Sequence, residues 1–225
     1  MSKALPLAVF DWNGTLLDDV DAWVKGCNAA LSIFGQSSRS LDEWRELYTC
    51  PIIHSYEKAG VSIDEYLQKS DEANAAFFDA YQAACAVGFK LRPYAREALT
   101  ALKAQGFQIS ILSNHRSDLL AKEIEATNLG DMFTHICGNL SDDDITHKLT
   151  KRDRLQRYMD KVGADLRRSF VIGDSHEEPS VARALNIKSI AITGGYLSKK
   201  RLLKARPTQL IDDLDQIDAT FLNLI

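Results

Sequence analysis

The sequence predicts a doubly wound α/β fold, in which helices cover both faces of a parallel sheet. Short apolar runs recur along the chain, and an amphipathic helical pattern follows most of them. This alternation favours parallel pairing, because each crossover helix returns the chain to the same edge of the sheet. The predicted strands are Leu5–Phe10, Phe107–Leu112, Thr134–Gly138, Ser169–Gly173 and Lys188–Thr193.

The helical patterns complete this alternation and also interrupt it once. The predicted crossover helices are Pro93–Ala104, Asp118–Thr127, Thr150–Val162 and Pro179–Leu185. From Val20 to Phe89, by contrast, only helical patterns occur, with breaks near Gly35, Pro51 and Gly60. The sequence therefore predicts an α/β core formed by residues 1–19 and 90–225, with residues 20–89 inserted after the first strand as an α-helical cap subdomain.

Composition excludes several classes of protein. The 225 residues carry a net charge of −4, which gives no general attraction for nucleic acid or for an anionic membrane. The four cysteines are scattered without a C-x-x-C pair, which argues against a zinc ribbon or a disulfide scaffold and fits a reducing compartment. Neither a signal sequence nor a long apolar stretch is evident. We therefore expect a cytoplasmic protein without nucleic-acid or membrane partners; its oligomeric state stays open.

Polar residues close three of the predicted strands. Asp11 follows "LAVF", Ser113 and Asn114 follow "ISIL", and Asp174 follows "FVIG". In an open parallel sheet, ligands bind beyond the carboxyl ends of the strands. Acids and serines often end strands merely as turn formers or helix caps, but several at one edge predict a site.

The same residues resemble the motifs of the haloacid dehalogenase superfamily, in its phosphatase branch with a small helical cap. The first motif appears as "DWNGT", from Asp11 to Thr15. The family's serine or threonine is Ser113 in "ILSNH", its lysine is best placed at Lys148, and its acidic element is "GDSHEE", from Gly173 to Glu178. The resemblance covers nearly the whole chain and implies a Rossmann-like core with an inserted cap. The "DWNGTL" form of the motif is similar to phosphoglycolate-phosphatase-like members.

The resemblance implies a nucleophile and a metal. Asp11 would attack phosphorus and form an aspartyl-phosphate. Asp174 and Glu178 would crowd negative charge beside Asp11, and a hard cation with oxygen ligands, Mg²⁺, would offset that charge. The main-chain carbonyl of Asn13 would be a further ligand. Glu177 is the alternative to Glu178, which the spacing favours.

The remaining groups would bind the phosphate. Ser113 would donate a hydrogen bond to a phosphate oxygen, assisted by backbone N–H groups after Asn114. Lys148 would neutralise the phosphate as a point charge. Lys151, three residues further along, is the alternative, although an exposed position on its helix is the expectation for it.

Asn13 departs from the family pattern, because the family has an aspartate there that protonates the leaving group. An amide cannot do this, and general acid–base catalysis contributes about 10²–10⁴-fold. The predicted function is a Mg²⁺-dependent phosphatase that acts on a small phosphorylated metabolite without this carboxylate, for example one with a leaving group that needs little protonation. A neighbouring histidine could substitute, although a surface position is expected for each of His115, His147 and His176.

Two alternatives remain open. One is a phosphate-binding protein that keeps the metal and phosphate site without turnover. The other resembles phosphonoacetaldehyde hydrolase, which uses a cap lysine as a Schiff base; the candidates here are Lys25, Lys58 and Lys69, and none lies in the central "CPIIHSY" turn.

The cap is expected to close over the site and to contribute to substrate choice. Its hinges would be Leu16–Asp19 and Gly88–Arg92. Trp23, His54 and Tyr56 could face the site, although packing elsewhere is the expectation for each. The sequence therefore does not name the substrate.

Overall fold

The computed structural model describes residues 4–139 and 150–217 of the chain. Its six strands form one parallel sheet with the order β3-β2-β1-β4-β5-β6. The strands are β1 (Leu7–Phe10), β2 (Gln108–Arg116), β3 (His135–Asn139), β4 (Phe170–Gly173), β5 (Lys188–Ile192) and β6 (Gln209–Ile211). The predicted parallel α/β fold is confirmed, and β1 lies where the strand order reverses, as at a ligand-binding switch point.

Five helices between β1 and β2 form the helical segment of residues 20–85. They are α1 (Val20–Ser32), α2 (Leu41–Leu47), α3 (Ile53–Lys58), α4 (Ile63–Gln68) and α5 (Ser70–Cys85). The helices that alternate with the later strands are α6 (Ala95–Ala104), α7 (Ser117–Ala126), α8 (Lys151–Val162), α9 (Glu177–Leu185) and α10 (Lys199–Lys204).

Several elements differ from the sequence-based expectation. Strand β2 continues to Arg116 instead of ending at Leu112, so it includes Ser113 and Asn114, and the helix α10 was not predicted. The helix predicted from Pro93 begins at Ala95, because Tyr94 adopts a left-handed conformation with φ of 60°. The short strand β6 was not predicted. Its three residues give too short an apolar pattern to be recognised, and pairing with β5 places them in the sheet.

Both faces of the sheet are buried, as expected for a parallel sheet. Ala8 and Phe10 of β1 pack on one face with Leu99 and Leu102 of α6 and with Leu120 of α7. On the opposite face, the alternate residues of β1 pack against α8 and α9: Leu7, Val9, Leu155, Met159, Val181 and Leu185. The strand that precedes Asp11 is therefore fixed from both sides.

The two connections between the helical segment and the sheet lie side by side. Leu17 forms an antiparallel bridge with Leu91, Asp18 N donates to Lys90 O at 2.7 Å, and Arg92 N donates to Leu16 O at 2.9 Å. These are the stretches that the sequence analysis predicts as hinges. Hinge motion itself stays a prediction.

Within residues 4–139 and 150–217, no helix is long and apolar enough to cross a membrane.

Candidate active site

The register of the sheet brings the strand-end residues together. Phe10 is paired with Ile111 on one side and with Ile172 on the other. Asp11 therefore lies at the same edge of the sheet as Asp174, which follows β4, and as Ser113, which lies in the last part of β2. The side chain of Thr15 joins the first and last of these motifs, since its Oγ1 donates to Asp174 Oδ1 at 3.2 Å.

Asp11 is nearly buried, with 9% of its surface exposed. Its Oδ1 accepts a hydrogen bond from Trp12 N at 2.8 Å, and its Oδ2 accepts one from Lys151 Nζ at 2.9 Å. Burial raises the pKa of Asp11 to about 6, opposed by the charge of Lys151 and reinforced by that of Glu178. The Asp11 carboxylate is thus held at a strand end with the Lys151 ammonium hydrogen-bonded to one of its oxygens.

Lys151 is the lysine that contacts Asp11. A capping box between Thr150 and Asp153 starts α8 at Lys151. The ammonium lies 2.9 Å from Asp11 Oδ2 and 2.7 Å from Glu178 Oε1. Burial opposes its charge, but the neighbouring carboxylates raise its pKa well above the usual value, so it stays protonated.

The family resemblance favours Lys148 for this role, with Lys151 as the alternative. Lys148 lies outside the described residues, so its role stays a prediction. The expectation that Lys151 occupies an exposed helix position is wrong, because only 4% of this residue is exposed. Its position at the helix start turns the side chain towards the sheet edge, where two buried carboxylates receive it.

Asp174 is fully enclosed at the end of β4, with 1% of its surface exposed. Tyr196 N donates to its Oδ2 at 2.6 Å. A Cβ atom on Gly14 or Gly195 would collide with this carboxylate. Both positions therefore need glycine, which lets the backbone pack directly against Asp174. Burial and the negative charge of Asp11 raise the pKa of Asp174 to about 8.

Glu178 and Glu177 are held differently. Glu178 is 1% exposed; its Oε1 accepts from Lys151 and its Oε2 accepts from Ser175 Oγ at 2.7 Å. Despite burial, the charge of Lys151 lowers the pKa of Glu178. Glu177 Oε2 accepts from Asn114 Nδ2 at 2.7 Å. Whether either glutamate is a metal ligand stays a prediction.

The donor set nevertheless fits a hard cation at Asp11 and Asp174. Both carboxylates are buried, and the negative charge of Asp11 raises the pKa of Asp174, which is the charge crowding that a cation relieves. No group of three or more metal-ligating side chains occurs in the described ranges. Mg²⁺ does not require one, because it commonly binds through one or two carboxylates and keeps several waters.

Ser113 and Asn114, in the last part of β2, differ in their availability to a ligand. Ser113 is 2% exposed, and its Oγ accepts a hydrogen bond from His115 N at 3.1 Å, which leaves the hydroxyl hydrogen free to donate elsewhere. Asn114 is held by three side-chain hydrogen bonds: its Nδ2 donates to Glu177 and to Cys50 Sγ at 3.5 Å, and its Oδ1 accepts from Arg154 Nη2 at 2.9 Å. Arg154 lies one helical turn after Lys151 and also donates to Ser113 O at 2.8 Å.

The Asn13 side chain lies against Asp19, a residue that the sequence analysis did not single out as functional. Asn13 Nδ2 donates to Asp19 Oδ2 at 2.8 Å. The same oxygen accepts from Tyr81 OH at 2.8 Å and from Tyr196 OH at 2.7 Å, while Oδ1 accepts from Gly14 N at 2.8 Å. Asp19 is 3% exposed. In the sequence it is only the second acid of "LLDDV", and nothing there indicates burial.

Aromatic side chains of the helical segment pack against Tyr196, in the loop after β5. Trp23 of α1 stacks on Tyr196 with ring centroids 4.3 Å apart, and Tyr48 packs edge-on against Trp23 at 5.4 Å. Arg45 at the end of α2 donates to the carbonyl oxygens of Gly194 and Gly195 at 2.9 and 3.0 Å. These contacts join the helical segment to the loop after β5.

Several side chains proposed from the sequence point elsewhere. His54 bonds Glu57 at 2.9 Å on the surface, and Tyr56 packs inside the helical segment. His115 Nε2 lies 3.1 Å from Glu123 Oε1, and that glutamate also accepts from Trp12 Nε1 at 2.7 Å. His147 lies outside the described residues.

Gly14 provides a first test of this geometry. Gly14→Ala is expected to destabilise the protein by more than Gly163→Ala. Both glycines have left-handed φ, +69° and +63°, but a Cβ meets the Asp174 carboxylate only at Gly14, and nothing lies within 4 Å at Gly163. The backbone strain alone costs about 1–2 kcal/mol. Denaturant unfolding measures both; equal losses would contradict the close packing of Gly14 on Asp174.

Comparison with known proteins identifies the family. Residues 8–192 match the family model of the haloacid dehalogenase-like hydrolases. The chain belongs to this family. Among curated relatives of this hydrolase, the phosphoglycolate phosphatase of Psychrobacter arcticus is 24% identical over 94% of this chain and 93% of its own. The phosphoglycolate phosphatase of Agrobacterium fabrum is 26% identical over 92% of this chain and 88% of its own. The prediction of a haloacid dehalogenase-like hydrolase of the phosphatase type is confirmed.

Solved structures of related hydrolases share the fold. A haloacid dehalogenase-like hydrolase from Streptococcus pneumoniae matches with a TM-score of 0.78 at 20% identity, covering 96% of this chain and 98% of that one. CbbY from Rhodobacter sphaeroides, whose crystal structure is a complex with phosphate, matches with a TM-score of 0.71 at 17% identity, covering 97% and 99%. At these identities the likeness is evidence for the fold alone.

Proposed function

We propose that this hydrolase is a Mg²⁺-dependent phosphatase that cleaves a small-molecule phosphate monoester or acyl phosphate through an aspartyl-phosphate on Asp11. The observation that supports this most directly is the position of Asp11 at the end of the central strand, with Lys151 Nζ at 2.9 Å and Asp174 beside it. A nucleophilic carboxylate, a buried cation and a second carboxylate together suit phosphoryl transfer.

Each side chain has a separate role in this proposal. The ammonium of Lys151 attracts the phosphate and offsets charge on its oxygens, while the Ser113 hydroxyl donates to one of those oxygens. Asp11 then attacks phosphorus, and the leaving oxygen departs. Water later cleaves the aspartyl-phosphate and regenerates the carboxylate.

Mg²⁺, held by Asp11, Asp174 and the main-chain carbonyl of Asn13, would neutralise charge between the carboxylates and the phosphate. Glu178 is the remaining metal ligand predicted from the sequence. Its hydrogen bonds to Lys151 and Ser175 also orient the lysine towards Asp11.

The substrate we infer is a phosphorylated metabolite whose leaving group needs little protonation. The Asn13 amide cannot supply a proton, and its nitrogen is occupied by Asp19. The curated relatives are phosphoglycolate phosphatases, which makes phosphoglycolate a natural compound to include in the first assays.

The test is phosphate release from acetyl phosphate and p-nitrophenyl phosphate, with and without Mg²⁺. These substrates differ in how much their leaving groups depend on protonation. We expect Mg²⁺-dependent turnover, with acetyl phosphate favoured. Saturable phosphate binding without turnover of either compound, or of phosphoglycolate, would instead favour the binding protein.

A further inference from the structure

Asp19 is a buried carboxylate that the proposed reaction does not use. It accepts hydrogen bonds from four neutral donors: the Asn13 amide, the Gly14 backbone and the hydroxyls of Tyr81 and Tyr196. These donors come from the first motif, from α5 and from the loop after β5. One carboxylate therefore joins the nucleophile's turn to the helical segment and to the loop that holds Asp174.

The chemistry of this contact fixes the orientation of the Asn13 side chain. A carboxylate only accepts hydrogen bonds, so the amide must turn its NH₂ group towards Asp19. The 3.2 Å contact between Asn13 Nδ2 and Tyr81 OH lies on the same side of the amide. The carboxamide oxygen is therefore held on the other side.

The same contact excludes a second charge. A carboxylate at position 13 would place an anionic oxygen where Asn13 Nδ2 now lies, and Asn13 Nδ2 is 2.8 Å from Asp19 Oδ2. Two carboxylates that share such a site repel, or one must hold a proton. The other described partners of Asp19 are neutral donors, none of which offsets an additional negative charge.

We propose that Asp19 is a positioning residue that makes an amide obligatory at position 13, so that Asn13 and Asp19 act as one amide–carboxylate pair. This inference rests on the proposed phosphatase function. It adds that Asn13→Asp alone does not install a working acid/base group, whereas exchanging the two side chains preserves the pair.

The experiment compares wild type, Asn13→Asp, Asp19→Asn and the exchange variant Asn13→Asp/Asp19→Asn. Asp18→Asn provides the matched control, because Asp18 is adjacent in sequence but its side chain is 37% exposed and pairs with Lys90 at 2.9 Å. Each variant is unfolded with denaturant in the absence of substrate, and kcat and KM for acetyl phosphate are then measured.

We expect Asn13→Asp and Asp19→Asn each to lower the unfolding midpoint, and the exchange variant to recover most of the loss. Neighbouring residues that act as a pair show such non-additivity. For acetyl phosphate, kcat should fall at least tenfold in each single variant with little change in KM, and should recover in the exchange variant.

Additive effects on unfolding would overturn the proposal, as would full activity of Asn13→Asp alone. Equal rescue by Asn13→Asp/Asp18→Asn would overturn it too, because removal of any nearby charge would then suffice. If Asn13→Asp does not fold, recovery of folded protein in the exchange variant but not with Asp18→Asn supports the pair. Absence of turnover in every variant would count against the proposed phosphatase function. The unfolding measurements would still test whether Asn13 and Asp19 act as a pair.

Discussion

Asp11→Asn is expected to abolish phosphate release while the protein stays folded. The amide cannot form an aspartyl-phosphate, and loss of a covalent nucleophile typically costs several orders of magnitude in kcat. The substitution removes a negative charge that raises the pKa of Asp174, and its oxygen can still accept from Lys151. We therefore expect the unfolding midpoint to stay at or above that of wild type.

The measurement is turnover of acetyl phosphate with Mg²⁺, paired with denaturant unfolding. Asp21→Asn provides the control, because it removes an acid from an exposed position in the first turn of α1. Trapping of phosphorylated protein in wild type but not in Asp11→Asn would identify the intermediate directly. Turnover of Asp11→Asn at the wild-type rate would place the nucleophile elsewhere.

Lys151→Met is expected to lose both activity and stability. The variant leaves Asp11 and Glu178 without the ammonium that lies 2.9 and 2.7 Å from them. Removing one partner of a buried ion pair typically costs about 3–5 kcal/mol, because the remaining charge is uncompensated. Phosphate binding should also weaken, since the cation that would meet the phosphate is gone.

Unfolding and phosphate release are measured side by side, with Mg²⁺ titrated into the variant. Lys161→Met, an exposed position near the end of the same helix, provides the control and should change neither quantity appreciably. Lys148→Met tests the lysine that the sequence analysis prefers. Loss of turnover in Lys148→Met, with Lys151→Met still active, would return the phosphate-binding role to Lys148.

Lys151 shows where prediction from local sequence failed. Lys148 and Lys151 both lie in the stretch "THKLTKRDRL", where the family's lysine is expected. The helical pattern predicts an exposed position for Lys151. The structure reverses that assignment, because the helix begins at Lys151 beside the sheet edge. The first residue of a helix can reach neighbouring strand ends whatever face the later turns present.

Local patterns in the sequence were sufficient to predict the parallel sheet, four crossover helices and the positions of Asp11, Ser113 and Asp174 at one edge. Apolar periodicity and strand–helix alternation are local patterns, and parallel pairing then brings the strand ends to one edge. Which side chains contact one another at that edge depends on tertiary packing, which these patterns do not encode. Asn13 contacts Asp19, and Glu178 contacts Lys151, because distant segments bury these groups together. A buried acid or lysine needs a hydrogen-bonding or oppositely charged partner, because an unpaired buried charge is costly. Local sequence does not show which acids and lysines are buried.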